Sequence, residues 1–166
     1  MDIYIVNGAN LNLLGKREPH LYGTRSFDDY FVELQSAFPQ IALHYFQSNH
    51  EGALIDYLQQ IGFTAHAIIF NPGAYTHTSI ALRDTVAAIT APLIEVHISN
   101  IYAREEFRHH SHISPVAHGV ISGLGLAAYR LAIAYAVGLK WNKYSIRIGL
   151  AYYSKPEWQT YAGFLK

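Results

Sequence analysis

The stretch His66-Ala67-Ile68-Ile69-Phe70, followed at once by Asn71-Pro72-Gly73, decides the fold. Its apolar run has no alternating polar positions, so it cannot keep one face in water; it reads as a strand covered on both sides. The Asn-Pro-Gly triplet stops it, because proline has no N–H to donate and glycine accepts turn angles that other residues avoid. Such a strand belongs in a parallel sheet, and parallel neighbours need long crossovers, usually helices.

Helices are indeed legible on both sides. Towards the N-terminus, Ser48 and Glu51 form a capping-box pattern that opens a helix through Leu54, Ile55 and Leu58 to Gly62. Residues 41–47 alternate as a strand. Before them, Phe27, Tyr30, Phe31, Leu34 and Phe38 recur at helical spacing behind an N-cap at Ser26, with Asp28 and Asp29 in the first turn, and Pro39 ends the element. Residues 2–6 are a short β-rich run that ends at Asn7-Gly8-Ala9-Asn10. Towards the C-terminus the pattern predicts a helix over 78–89, an apolar strand over 92–98, a short helical segment over 104–109, a brief strand over 118–121 and a long helix over 123–139. Five strands alternating with helices specify an α/β domain, a three-layer sandwich around a five-stranded parallel sheet with right-handed crossovers.

Composition narrows the function classes. A chain of 166 residues is one domain's length, and 51% hydrophobic against 14% charged residues excludes a disordered chain. Zero formal net charge without a basic run argues against nucleic acid or anionic membrane as partner. The absence of cysteine excludes disulfides, thiolate metal sites and a cysteine nucleophile. The first six residues lack the basic and apolar segments of a secretory leader. Residues 123–139 are interrupted by Arg130 and read as a buried or subunit-facing helix, not a membrane span. A cytoplasmic protein is expected. Few charges with thirteen tyrosines also suggest a surface partly hidden by self-association.

In open parallel sheets the ligand lies beyond the carboxyl ends of the strands, where strand order reverses. Polar residues gather there: Asn7 and Asn10 after the first strand, Asn71 and His77 after the third, His97, Ser99 and Asn100 after the fourth. Four segments could carry chemistry. Tyr22, five residues after Arg17 on a glycine-flanked loop, suits a phenolic base assisted by a guanidinium, or else it packs the loop. In the segment from Asn71 to Ser79, Asn71 and His77 face the crevice beside a helix start at Thr78 and Ser79 that favours anions; ordinary capping is the alternative. In Glu95-Val96-His97-Ile98-Ser99, period two puts Glu95, His97 and Ser99 on one side. A carboxylate beside an imidazole can hold its tautomer and its proton for general acid work, although a strand histidine is often only a core residue. On a helix, Arg104 and Arg108 would share a face suited to carboxylate or hydroxyl groups; pairing of Glu105 with His109 on a solvated face is the plainer reading. The cluster His109, His110 and His112 lacks a metal-binding frame, because adjacent histidines diverge.

Taken together, Asn7 to Gly15, Arg17-Glu18-Pro19, Tyr22-Gly23, Asn71 to Ser79, Glu95 to Asn100 and Arg104 to Arg108 closely resemble the type II 3-dehydroquinate dehydratase family, over residues 5 to about 135. The resemblance implies a flavodoxin-like fold with strand order 2-1-3-4-5 and a dodecamer built as a tetramer of trimers. It implies dehydration of 3-dehydroquinate to 3-dehydroshikimate through an enolate, without metal or cofactor. Tyr22 would be the base, with Arg17 lowering its pKa, and Asn10 would hold a water that stabilises the enolate. His97, oriented by Glu95, would protonate the departing hydroxyl. Asn71, His77 and Arg108 would bind substrate hydroxyls, the backbone N–H groups of Ile98 and Ser99 its carboxylate. Arg104 matches a lid arginine, and Asp84 an acid that reaches a neighbouring subunit's site.

The residues agree with that chemistry. Losing water β to a ketone needs a base, an acid and charge stabilisation, but no redox group. None of the five lysines stands at a strand end, which disfavours an imine route. A flavin carrier would want a Ser/Thr/Gly phosphate cradle after the first strand, and a receiver module would want acids there and an Asp at position 71. The catalytic domain is expected over 1–140. The aromatic tail over 141–166 matches no motif of the family and reads as packed on this subunit or a neighbour.

Overall fold

The structure is a computed structural model that describes residues 1–15 and 25–139. Arg17, Tyr22, the five lysines and the aromatic tail lie outside the described residues. Strands β1 (Asp2–Asn7), β2 (Ala42–Gln47), β3 (Ala67–Asn71), β4 (Leu93–His97) and β5 (Gly119–Ser122) form one parallel sheet in the order β2-β1-β3-β4-β5. Helices α1 (Phe27–Ala37) and α4 (Ala127–Gly138) cover one face, and α2 (Glu51–Ile61) and α3 (Ile80–Ala88) cover the other.

Each helix earns its place by the face it buries. In α1, Phe27, Tyr30 and Leu34 point into the sheet, and Ser26 Oγ accepts from the Asp29 N–H as the sequence predicts. In β3 and β4 every residue is buried, so both sides of the sheet centre are dry. Ile3, Ile5, Ile69 and Val96 pack towards α1 and α4, while Val6, Ile68, Phe70 and Leu93 pack towards α2 and α3.

Three local expectations are corrected. The Ser48–Glu51 capping box does not form: Ser48 Oγ accepts instead from the His50 N–H at 3.0 Å, and His50 is the N-cap of α2 without a side-chain bond. The helix expected from residue 78 is preceded by a 3-10 turn (Gly73–His77), and α3 starts only after Ser79, whose Oγ accepts from the Leu82 N–H. Likewise α4 begins at Ala127, because Gly123 and Gly125 adopt positive φ of 87° and 61° and break the helical path.

The strand order reverses between β1 and β3, and the two turns there interlock. The Gly8 N–H donates to the Asn71 carbonyl at 2.7 Å. A Cβ on Gly8 would lie 2.2 Å from the Pro72 oxygen, and one on Gly73 would lie 2.7 Å from the Ala9 oxygen. Only glycine permits this approach, and it makes the ends of the two strands one rigid unit. Among the described residues no helix is long and apolar enough to cross a membrane.

Candidate active site

At the carboxyl ends of β1, β3 and β4 lies an open cleft of about 270 Å³. Its lining brings together Asn10, Asn71, His77, His97, Ile98, Ser99, Arg104 and Arg108, eight of the twelve residues singled out from the sequence. Glu95 sits behind His97, fully buried. Asp84 does not join them; it lies on α3, two-thirds exposed, and pairs with Arg83 at 3.0 Å.

His97 and Glu95 form the centre of the site. His97 Nε2 meets Glu95 Oε1 at 2.7 Å, and the imidazole is nearly buried. With a carboxylate as acceptor, Nε2 carries the proton, so Nδ1 is the nitrogen left to act on a ligand. The carboxylate also accepts from Thr76 Oγ1 at 2.5 Å, from Ser111 Oγ at 3.0 Å and from Ser114 Oγ. Burial pushes the Glu95 carboxyl up, but hydrogen bonding and charge from His97, with the Ser114 and Thr76 hydroxyls, reverse this and leave it below the ordinary carboxylate range.

His77 has a different setting. Its Nδ1 donates to the His110 carbonyl at 2.8 Å, which leaves Nε2 as an acceptor for a ligand hydroxyl. Burial lowers its pKa, the His110 carbonyl opposes this, and the positive charges of His97 and Arg108 lower it further. A neutral imidazole results, suited to binding more than to donating a proton.

Asn71 is held by a partner that sequence reading missed. Its Nδ2 donates to the Tyr129 hydroxyl at 2.8 Å, its Oδ1 accepts from the Gly73 N–H at 3.1 Å, and the Tyr129 hydroxyl donates to Asn7 Oδ1 at 2.8 Å. Burial raises the fully buried Tyr129 phenol far above its ordinary value, so it stays protonated and keeps this direction of donation. Asn7 Nδ2 meets no acceptor among the described residues. Asn10 takes a left-handed conformation, φ 68°, that asparagine tolerates better than most residues, and its N–H donates to Asn49 Oδ1 at 2.9 Å.

The arginines reach the cleft by another route than expected. Residues 104–109 are not one helix: a 3-10 turn (Ile101–Ala103) ends at an extended Arg104, φ −106° and ψ −166°, and a second turn (Glu106–Arg108) follows. Asn100 Oδ1 accepts from the Tyr102 N–H and so closes the first turn locally, in competition with a longer helix. Both arginines still line the cleft, and Glu105 pairs with Arg108 at 2.8 Å and Arg104 at 3.5 Å, not with His109. At the end of β4 the His97 and Ile98 carbonyls accept from the Gly123 and Gly125 N–H groups, which fixes the backbone at Ile98 and Ser99.

A small polar cleft with an imidazole–carboxylate pair, the side chains of Asn10, Asn71 and His77 and two arginines suits an anionic polyhydroxy compound. The family described as Dehydroquinase class II matches residues 1–137. The chain belongs to the class II dehydroquinases. A 3-dehydroquinate dehydratase of Roseiflexus castenholzii is 52% identical over 142 residues, covering 84% of this chain and 90% of the relative. The crystal structure of a type II dehydroquinase from Butyrivibrio crossotus superposes with a TM-score of 0.80 at 44% identity, covering 83% of this chain and 98% of that one. A type II dehydroquinase from Propionibacterium acnes gives 0.78 at 40% identity, covering 82% and 96%. The five-stranded order β2-β1-β3-β4-β5 expected from the resemblance is the order found in this dehydroquinase.

Proposed function

We propose that the cleft removes water from 3-dehydroquinate to give 3-dehydroshikimate, the reaction of the family to which the chain belongs. The observation that carries the reading is the convergence of the His97–Glu95 pair with Asn10, Asn71, His77 and two arginines at one set of strand ends. Tyr22, as phenolate stabilised by Arg17, takes the proton from the carbon next to the ketone. The electron pair of that C–H bond moves into an enolate, whose charge a water held by Asn10 stabilises. The enolate then re-forms the ketone and a carbon–carbon double bond as the β-hydroxyl leaves. His97 Nδ1 gives its proton to that hydroxyl, which departs as water, while Nε2–H stays on Glu95.

The substrate hydroxyls bind Asn71, His77 and Arg108, its carboxylate the N–H groups of Ile98 and Ser99, and Arg104 closes over it. Asp84 serves a neighbouring subunit's site in a dodecamer, a reading supported by its exposure on α3 away from its own cleft. Residues 1–140 form the catalytic domain, the tail over 141–166 lies outside the described residues, and the enzyme works in the cytoplasm without metal or cofactor.

The test is direct. Mixing the protein with 3-dehydroquinate produces a conjugated enone, so ultraviolet absorbance rises; no rise from folded protein contradicts the reading. Tyr22→Phe keeps the ring and loses the base, so turnover falls on the order of 10²–10⁴-fold with little change in affinity. Near-normal turnover in that variant would remove Tyr22 from the mechanism.

A further inference from the structure

The carboxylate of Glu95 is a buried charge with an unusual number of donors. Beyond His97, three hydroxyls from two places in the fold converge on it. Thr76 comes from the 3-10 turn after β3, and Ser111 and Ser114 come from the segment that leads to β5. The hydroxyls are ordered as well as close. Ser111 Oγ accepts from the N–H groups of Ile113 at 3.1 Å and Ser114 at 2.9 Å, so its own proton is directed at Thr76 Oγ1, 2.7 Å away, or at Glu95. Thr76 is completely buried and Ser111 nearly so. The segment carrying Ser111 is clipped to the Thr76 turn by the His112 N–H on the Thr76 carbonyl at 2.8 Å and by His77 Nδ1 on the His110 carbonyl.

We propose that Thr76, Ser111 and Ser114 are positioning residues of the reaction: their hydroxyls fill the lone pairs of Glu95 and so confine the proton it shares with His97 to the imidazole. The reason lies in the competition for that proton. A bare carboxylate in a dry pocket is a strong base, and it gains more from taking the proton than from holding an ion pair. Once protonated it no longer fixes the ring or opposes its charge. Each donated hydroxyl spreads the negative charge and makes the carboxylate a weaker base, while leaving it an acceptor for Nε2–H. The other charged groups near the pair do not substitute for the hydroxyls. His77 bonds the His110 carbonyl and Arg108 bonds Glu105, and neither donates to the Glu95 carboxylate.

The inference rests on the reading of His97 and Glu95 as the acid pair, and its test separates the two. Ser114→Ala and Thr76→Val remove one hydroxyl each with little change in volume, and Thr76→Ser keeps its hydroxyl. The full-length protein, labelled with ¹³C at glutamate carboxyls, is titrated by NMR, and the pH profile of kcat/KM is measured in parallel. Each deletion is expected to raise the pH at which Glu95 titrates by about one unit and to move upward the basic limb of the rate profile, which reports the acid pair; Thr76→Ser, which keeps the hydroxyl, is expected to behave as the parent does. A Glu95 titration that stays put in folded variants overturns the proposal whatever the rates do. A titration that moves while the basic limb does not overturns the assignment of His97 and Glu95 as the acid pair, and the proposal falls with it.

Discussion

The floor of the cleft and its rim are built in opposite ways. The floor consists of strand ends and the residues bonded to them: Asn71, Glu95 and His97 are buried and partnered in the interior. The rim, residues 101–109, is two single 3-10 turns whose aromatic side chains, Tyr102 and Phe107, stand 67% and 68% exposed. The rim's charges pair with one another in water, Glu105 with Arg104 and Arg108. On the proposed mechanism, the groups that would move protons are thus fixed before a ligand arrives, whereas those that would recognise charge are left able to exchange partners.

The largest effect expected from this division is on the floor. His97→Asn keeps a polar side chain of similar reach but removes the proton donor, so kcat should fall on the order of 10²–10⁴-fold with the Michaelis constant little altered. Steady-state kinetics that showed a raised Michaelis constant with normal kcat would make His97 a binding group and blur the division.

Next comes the backbone beneath it. Gly8→Ala drives a Cβ to 2.2 Å from the Pro72 oxygen, a backbone atom that cannot swing away. A loss of about 3 kcal/mol is expected, at the upper end of ordinary overpacking. Gly52 in α2 is the control, since a Cβ there meets nothing within 4 Å. Gly52→Ala should stabilise by about 0.5 kcal/mol. Urea midpoints at one protein concentration compare the two, and equal shifts would mean that the interlocked turns are not rigid.

The rim predicts a different signature. Arg108→Ala removes a charged donor from the cleft and should raise the Michaelis constant by about 10-fold or more, with kcat within a few-fold of normal. A fall confined to kcat would show instead that the rim acts on the transition state alone.

The smallest effect concerns two carboxylates. The pKa of Glu105 is lowered by its hydrogen bonds to its own backbone and to Arg108, and that of Glu95 is net lowered within its buried network. A depressed carboxyl contributes stability above its unfolded value, here near 4.5, and loses it as pH falls through the folded value. Molar salt should return Glu105 towards its ordinary value and leave Glu95 in place, because only the exposed pair is screened. NMR titrations at low and high salt measure both, and parallel movement would erase the contrast.

The same contrast explains what could be read from the sequence. The floor is written in compact local code. The unbroken run 66–70, the Asn-Pro-Gly stop and the alternation of Glu95 with His97 each depend on neighbours a few residues away, and they placed β3 and β4 with Asn71, His77, His97 and Ser99 at their ends, where the cleft lies. The rim misled because arginines four apart suggest a helix, while Asn100 closes its own turn and leaves Arg104 extended. Ser48 misled in the same way by bonding His50 in place of a helix start. Ser111, Ser114 and Tyr129 left no local sign. Their roles come from contacts 16, 19 and 58 or 122 residues away in the chain, which no periodicity encodes.

That last distance has a consequence for how the protein is made. The asparagines at the ends of β1 and β3 emerge from the ribosome long before Tyr129 does, yet they find their shared hydroxyl only when α4 docks. Until then the Asn71 Nδ2 group and the Asn7 Oδ1 atom lack this partner, at a cost of about 1–3 kcal/mol each if they are dried out. Burying the corner of the sheet that becomes the cleft floor therefore costs more before α4 docks than after it. Helix α4 thus closes the floor from outside the strands: without Tyr129 both asparagines lose the hydroxyl that joins them.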